Sequence, residues 1–268
     1  MSDEKVAEPT DPLALTIERG LATIELRRPP ANALGAELVD ALDAALDEIE
    51  QSGAGAVVVC SAVPGYFAAG ADLKLLSTLD RHGFHDYLVH LRGAIERLAA
   101  LGPPTVAALD GYALGGGLEL AMACTMRIAS TASRLGVPEI RLGLLPGAGG
   151  TQRLPQLVGR GPALDLLLTG RTIDAAEAER IGLVDLVVDQ SGDVGDEAER
   201  IGRAFVDGPS VALAAIIRCV DAARDLPLSA GMEVEADAVL GLFDTTDAAE
   251  GISAFLERRP AVFGSGRR

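Results

Sequence analysis

Hydrophobic and polar positions alternate in two short segments near the start of the chain, residues 14–18 and 21–25, and this pattern predicts a β-hairpin. Residues 36–51 follow a helical period instead, with their large apolar side chains on one face and acidic side chains elsewhere. Residues 56–60 are short and continuously apolar, which predicts a buried strand. The more polar residues 72–97 predict a helix. The first hundred residues therefore mix strands with helices.

The same order recurs in the middle of the chain. Residues 105–109 predict a strand, residues 111–117 a glycine-rich turn, and residues 118–124 the start of a helix. A further strand over residues 126–129 leads to a loop and to helices beyond residue 150. Strand, glycine-rich loop and helix thus repeat, although neither dinucleotide-binding nor P-loop glycine spacing is present in the sequence.

The last third of the chain predicts helices. Residues 183–188 are the last strand-like segment, and the alanine-rich sequence after them is punctuated by Pro209, Pro227 and Pro260. We therefore expect a core unit over residues 13–200 and a helical region over residues 201–268. The polar residues 1–12 predict a disordered tail.

The charge of the chain bears on its partners. A formal net charge of −16 repels nucleic acid and anionic lipid within about a Debye length, ~10 Å at 0.1 M salt. Residues 1–12 lack the apolar run of a signal peptide, and no apolar stretch reaches the roughly 18 residues of a membrane span. We therefore expect a cytoplasmic protein without nucleic-acid or membrane partners.

Two segments of small residues would let a ligand approach the backbone. Residues 67–74 (FAAGADLK) place a helix start at Asp72, where free N–H groups suit an oxygen that becomes negative during a reaction. An ordinary loop and helix cap is the alternative. Residues 111–120 contain three consecutive glycines, which are entropically costly and are expected where a side chain would block a ligand.

Two glutamates lie in apolar sequence. Glu119 follows the glycines at an apolar helix start, where burial as an unpaired ion would cost several kcal/mol. Glu119 is therefore either an active-site carboxylate or the partner of an arginine. Glu139 also has apolar neighbours, with Arg134 and Arg141 close in sequence as ion-pair partners. Both interpretations stay open for each acid.

Together these segments resemble the crotonase superfamily, which contains the enoyl-CoA hydratases and isomerases. The resemblance runs from residue 28 to residue 259 and includes the block at residues 143–154. It implies an α/β fold, a crotonase-like spiral of ββα repeats followed by a helical C-terminal region that forms trimers, commonly paired into hexamers. It further implies an acyl-CoA thioester substrate, with no metal and no cofactor beyond the coenzyme A of the substrate.

The resemblance also implies roles for particular residues. The backbone amides of Ala71 and Gly116 match the oxyanion hole that binds the thioester oxygen, and Glu119 and Glu139 match the two glutamates that transfer protons in the hydratases. The path of the substrate implies contacts at Ala69, Asp72, Leu73, Lys74, Gly115 and Pro138.

Three functions follow from the resemblance. Retention of both acids favours enoyl-CoA hydratase over Δ3,Δ2-enoyl-CoA isomerase, for which Glu139 alone would serve. A non-catalytic or RNA-binding homologue is the alternative from a different class, and the acidic charge and intact motifs oppose it. Acyl chain length stays open.

Four further residues draw attention. His82 and His85 could share a helical face, but with no third well-spaced ligand we expect them, like His90, to be surface or lid histidines and not a metal site. Thr125 stands where relatives often carry aspartate, so a different local pairing is expected there.

Overall fold

The computed structural model describes residues 11–189 and 193–264, and most of the tail expected over residues 1–12 lies outside this range. The strands are β1 (Leu13–Glu18), β2 (Leu21–Leu26), β3 (Ala56–Ser61), β4 (Tyr66–Ala68), β5 (Thr105–Leu109), β6 (Tyr112–Leu114), β7 (Met126–Ser130), β8 (Arg134–Gly136), β9 (Thr172–Asp174) and β10 (Leu186–Val188). The helices are α1 (Ala36–Ser52), α2 (Leu73–Leu76), α3 (Arg81–Ala99), α4 (Gly116–Ala123), α5 (Gly150–Val158), α6 (Arg160–Thr169), α7 (Ala175–Arg180), α8 (Asp193–Val206), α9 (Ser210–Asp225), α10 (Leu228–Phe243) and α11 (Thr246–Glu257), with a 3-10 helix over Pro138–Leu142.

The strands form two sheets. One has the order β1-β2-β3-β5-β7-β10, and the other has the order β4-β6-β8-β9. Each successive turn of the chain adds one strand to each sheet (β3 then β4, β5 then β6, β7 then β8), and these strands pair in parallel. The mixed α/β fold, a spiral of ββα turns followed by C-terminal helices, is therefore confirmed. The continuous apolar character of β3 and β5 follows from burial on both faces of a parallel sheet.

The helix α8 covers the outer face of the six-stranded sheet. Its Val194 and Ala198 are buried in one cluster with Val58 and Val106 of the sheet. The boundary expected near residue 200 falls inside this helix. The division into a core unit and a C-terminal region stays a prediction.

Three predicted elements differ in extent from those observed. The helix expected over residues 72–97 is two helices, because Asp72 caps α2 and Asp80 caps α3 by accepting a hydrogen bond from the Gly83 amide at 2.8 Å. The turn predicted over residues 111–117 contains the strand β6, which pairs with β4 and β8, two strands that are distant in sequence. The strand over residues 183–188 shortens to β10, because the amides of Leu183 and Val184 donate to the Ala178 oxygen of α7 and the Leu183 oxygen accepts from the Arg127 side chain.

The C-terminal helices α9, α10 and α11 follow the spiral, and prolines precede the first two of them as predicted. They carry many exposed apolar side chains, among them Phe243, Phe255 and Leu256. Across residues 11–189 and 193–264, no helix combines the length and the apolar character needed to cross a membrane.

Candidate active site

A cavity of about 280 Å³ lies between helices α2 and α3, the loops after β4 and β6, and the 3-10 helix. Most of its wall is apolar, formed by side chains such as Leu76, Phe84, Leu88, Leu142 and Leu145. Both Glu119 and Glu139 line it, as do Ala71 and Gly116. The structure therefore brings the four residues that the sequence singled out for chemistry to one cavity.

The backbone amides of Ala71 and Gly116 lie side by side at this cavity. A Cβ built on Gly116 would stand 3.7 Å from the Ala71 nitrogen. Neither N–H donates a hydrogen bond to another group in the described part of the chain. Gly116 is the first residue of α4, whose first internal bond runs from the Glu119 amide to the Gly115 oxygen, so the positive end of the helix dipole also faces this point. Two free donors at a helix start suit an anionic oxygen.

The glycines at the start of α4 are required by close contacts. A Cβ on Gly117 would overlap the carbonyl group of Ala68, so only glycine lets the start of α4 approach the end of β4 this closely. Gly115 has φ +51°, and a Cβ there would overlap the carboxylate of Glu139. Glycine is therefore required at Gly117 by the end of β4 and at Gly115 by the side chain of Glu139.

Glu119 is buried, with 2% of its surface exposed. Its Oε1 accepts hydrogen bonds of 2.7 Å from the amides of Ala148 and Gly150, at the start of α5. Burial raises the pKa of Glu119, while these two hydrogen bonds and the charge of Arg153 oppose the rise. No salt bridge to Glu119 is found among the described residues. Two backbone amides therefore compensate its burial in place of the arginine ion pair that the alternative required, and the charge of Arg153 adds to their effect without direct pairing.

Glu139 lies on the 3-10 helix in a different environment. Its Oε2 is buried and accepts no hydrogen bond from the described residues. Burial raises its pKa to about 7; its own backbone amide opposes the rise and the charge of Glu119 adds to it. Arg134 donates instead to the carbonyl oxygens of Ala132 and Ser133, and residues 11–189 and 193–264 provide no ion pair between Arg141 and Glu139.

The two acids therefore differ in the form that their surroundings favour. Glu119 has charge-stabilising donors, whereas Glu139 has a bare buried oxygen and a neighbouring negative charge, which favour its protonated form. Such a pair supplies a base and an acid at once near neutral pH, and its titrations are expected to be coupled. Beside two free amides, this arrangement can stabilise a developing oxyanion while protons move.

The other predicted contact residues divide into two groups. Ala69, Leu73, Gly115 and Pro138 line the cavity. The Asp72 carboxylate caps α2, where it accepts hydrogen bonds from the Lys74 and Leu75 amides, and it pairs with Arg28 at 2.7 Å. Lys74 has an exposed side chain on the outside of α2. Asp72 thus shapes the loop, and neither Asp72 nor Lys74 is among the residues that line the cavity.

Two residues that the sequence analysis missed hold the Ala71 loop. Tyr87 is buried and donates a hydrogen bond of 2.7 Å to the Leu34 oxygen, and the Leu34 amide donates to the Gly70 oxygen at 2.8 Å. Arg28 joins Asp72 to the Ala33 oxygen. Apart from the bond between Arg28 and Ala33, these contacts connect residues more than 30 positions apart, so no local sequence pattern indicates them.

The three histidines do not line the cavity. The ligand atoms of His82 and His85 lie within 4.8 Å of one another and of an Asp86 carboxylate oxygen, a neighbour that the sequence analysis did not count, and all three residues are exposed. His90 contacts Asp43 at 3.1 Å.

Thr125 pairs with Thr105. Each backbone amide donates to the other residue's hydroxyl, at 2.8 and 3.1 Å. This reciprocal pair is the local pairing at Thr125, where the sequence predicted a pairing different from that of relatives.

Comparison with known proteins gives matches over nearly the whole chain. The sequence profile of the family described as enoyl-CoA hydratase/isomerase matches residues 16–266. The chain is similar to a probable enoyl-CoA hydratase of Rhizobium meliloti, with 43% identity over 90% of this chain and 93% of that protein. It is similar to a probable enoyl-CoA hydratase of Bacillus subtilis, with 35% identity over 94% and 98% of the two chains. The crystal structure of an enoyl-CoA hydratase from Bacillus anthracis superposes with a TM-score of 0.90 at 34% identity, covering 94% of this chain and 99% of that one.

Proposed function

Because the chain belongs to the enoyl-CoA hydratase/isomerase family, we propose that it is an enoyl-CoA hydratase, which adds water across the C2–C3 double bond of a 2-enoyl-CoA thioester. One observation carries the proposal: Glu119 and Glu139 both line the cavity at which the free amides of Ala71 and Gly116 meet. An isomerase needs the two amides and one proton carrier, whereas hydration also needs a base for water.

The proposed reaction starts with the thioester oxygen accepting hydrogen bonds from the amides of Ala71 and Gly116. Glu119 takes a proton from water, the water oxygen bonds to C3, and the π electrons move through C2 onto the thioester oxygen. Glu139 then gives its proton to C2 as the carbonyl re-forms. One oxyanion donor typically lowers such a barrier by about 2.7–4 kcal/mol. Every step uses protons and hydrogen bonds, so the proposal requires neither a metal ion nor a redox cofactor.

The proposed substrate fits the walls of the site. The apolar side chains around the cavity would hold the acyl chain. The coenzyme A part of the bound substrate would extend out of the cavity past Asp72 and Leu73, where the exposed Lys74 is a candidate cation for a phosphate. A cytoplasmic location and the lack of nucleic-acid partners stay predictions from the sequence.

The test is an assay with crotonyl-CoA. A hydratase removes the ultraviolet absorbance of the conjugated thioester, whereas an isomerase given a 3-enoyl thioester makes that absorbance appear. If the protein leaves crotonyl-CoA unchanged but converts the 3-enoyl substrate, the isomerase alternative is correct. Tight binding of RNA at low salt, without either activity, would favour the non-catalytic homologue.

The pH dependence of hydration is expected to be bell-shaped. Glu139 must carry a proton to donate it, and its pKa of about 7 predicts that kcat falls as pH rises through about 7. Glu119 must be ionised, and its raised pKa predicts a second fall toward acid. Initial rates of crotonyl-CoA hydration across pH 5–9 measure both limbs. A rate that climbs steadily from pH 7 to 9 would contradict the assigned roles.

We also propose that the C-terminal helices join copies of the chain into a trimer or a pair of trimers. Exposed apolar side chains concentrate on these helices, with Phe255 83% and Phe243 72% exposed. A large exposed apolar surface usually marks an interface. Light scattering after size exclusion should give a trimeric or hexameric mass, and Phe255→Glu should reduce it. Val89→Glu, which changes an exposed apolar residue of α3, is the control. A monomeric wild-type protein would overturn the proposal.

A further inference from the structure

Arg153 lies directly behind the loop that holds Glu119. It is in the first turn of α5, and its side chain is 12% exposed. One guanidinium nitrogen, Nη2, pairs with the Glu96 carboxylate of α3 at 3.0 Å. The other, Nη1, donates to the Ala148 oxygen at 3.3 Å. Arg153 does not line the substrate cavity, so it is not a catalytic residue of the proposed hydration.

The loop between Arg153 and Glu119 is only three residues long. On its inner side, the amides of Ala148 and Gly150 donate to Glu119 Oε1. On the outer side of the loop, the Arg153 guanidinium donates a hydrogen bond to the Ala148 oxygen. It also lies so close to Gly149 that a Cβ on this glycine would overlap the guanidinium. The Arg153 amide also donates to the Gly149 oxygen at 2.8 Å. The loop is therefore held between a carboxylate and a guanidinium.

We propose that Arg153, held by Glu96, is a positioning residue that fixes the Ala148–Gly150 loop so that both of its amides stay directed at Glu119. The inference rests on the proposed hydratase function, in which Glu119 is the base. Freeing the loop would let the carboxylate turn away from the water it activates. A misplacement of about 1 Å at such a group can cost about 10²-fold in rate.

The charge of Arg153 acts in the same direction. It lowers the pKa of Glu119 against the larger effect of burial, so loss of the charge should move the acid limb of the pH profile to higher pH. The other ionisable groups near Glu119 are Glu139 on the 3-10 helix and Tyr87 on α3. Around Arg153 itself, a second, polar cavity of about 580 Å³ is lined by charged groups of α3 and α9: Arg92, Glu96, Arg224 and Asp225.

The experiment compares Arg153→Met, which keeps an unbranched side chain out to the position of Nε but removes the guanidinium charge and its hydrogen bonds, with Arg153→Lys, which keeps the charge. For Arg153→Met we expect kcat for crotonyl-CoA to fall about 10- to 100-fold, with a much smaller change in KM and an acid limb at higher pH. Arg153→Lys should restore the limb and part of kcat. Glu96→Gln should give a smaller change of the same kind. Arg97→Met, which breaks an arginine ion pair with α1 without touching the loop, is the matched control.

Two outcomes are decisive. If wild type hydrates crotonyl-CoA and a folded Arg153→Met keeps its kcat and pH profile, the positioning role is wrong. If wild type does not hydrate it, the proposed function fails, and the positioning role is then measured directly by ¹³C NMR titration of the Glu119 carboxyl, assigned with Glu119→Gln. An unchanged Glu119 titration in Arg153→Met, or in Glu96→Gln should the first variant not fold, would overturn the inference.

Discussion

Glu119→Gln and Glu139→Gln are each expected to lower the rate of crotonyl-CoA hydration by about 10²- to 10⁴-fold, the usual contribution of a general acid or base. The amide keeps the shape of the side chain but neither takes a proton from water nor supplies one to C2. Oε1 of Glu119 accepts hydrogen bonds from the backbone amides of Ala148 and Gly150. In Glu119→Gln, the side-chain oxygen keeps both hydrogen bonds when it faces these amides. The loss should therefore appear in kcat, with the fold intact by circular dichroism.

The double variant sharpens this test. Because both acids act on one addition, their losses should not multiply, and the double variant should be only slightly slower than the worse single variant. Glu37→Gln, an exposed acid in the first turn of α1, is the control and should retain full activity. Near-native rates in both single variants would exclude the hydratase mechanism proposed for these residues.

Gly116→Pro is expected to lower kcat by about 10²- to 10³-fold, the effect of removing one oxyanion donor. A proline has no N–H, and its ring would occupy the place from which the Gly116 amide reaches the thioester oxygen. The substitution is compatible with the helix, because Gly116 is the first residue of α4 and proline is favoured there. The nearest obstacle to its Cβ is the flexible end of Leu34, at 3.1 Å.

Thr246→Pro is the matched control, since it places proline at the first position of α11, away from the cavity. Thermal unfolding of both variants shows whether each keeps its fold, and steady-state kinetics then separate kcat from KM. A folded Gly116→Pro with wild-type kcat would show that this amide does not stabilise the transition state.

The sequence predicted the parts of the fold whose pattern is local. The hairpin, α1 and β3 each have enough residues for a period to show, and Asp72 marks the start of α2 through its own side chain. The strands of the second sheet have three residues each and exist through pairing with other turns of the spiral. A three-residue segment is too short for alternation to appear, so β4, β6 and β8 were not predicted.

The candidate site divides in the same way. The glycine triplet and the two acids in apolar sequence were visible, because each is unusual for its surroundings. The groups that compensate the burial of Glu119 were not visible in the sequence, because the amides of Ala148 and Gly150 lie 29 and 31 residues further along the chain. The sequence left an arginine partner open for each acid, and only the folded geometry distinguishes that arrangement from backbone donors.

The parallel order β4-β6-β8 has a consequence for how such a protein changes its chemistry. Ala71, Gly116 and Glu139 each follow one of these strands by two or three residues. Neighbouring parallel strands therefore place them at the same edge of the sheet, at the spacing between adjacent strands. The amides of Ala71 and Gly116 follow β4 and β6, and the acid Glu139 follows β8. In the proposed mechanism, replacement of Glu139 alone would therefore change where a proton is transferred, while the two amides that bind the thioester oxygen would stay in place.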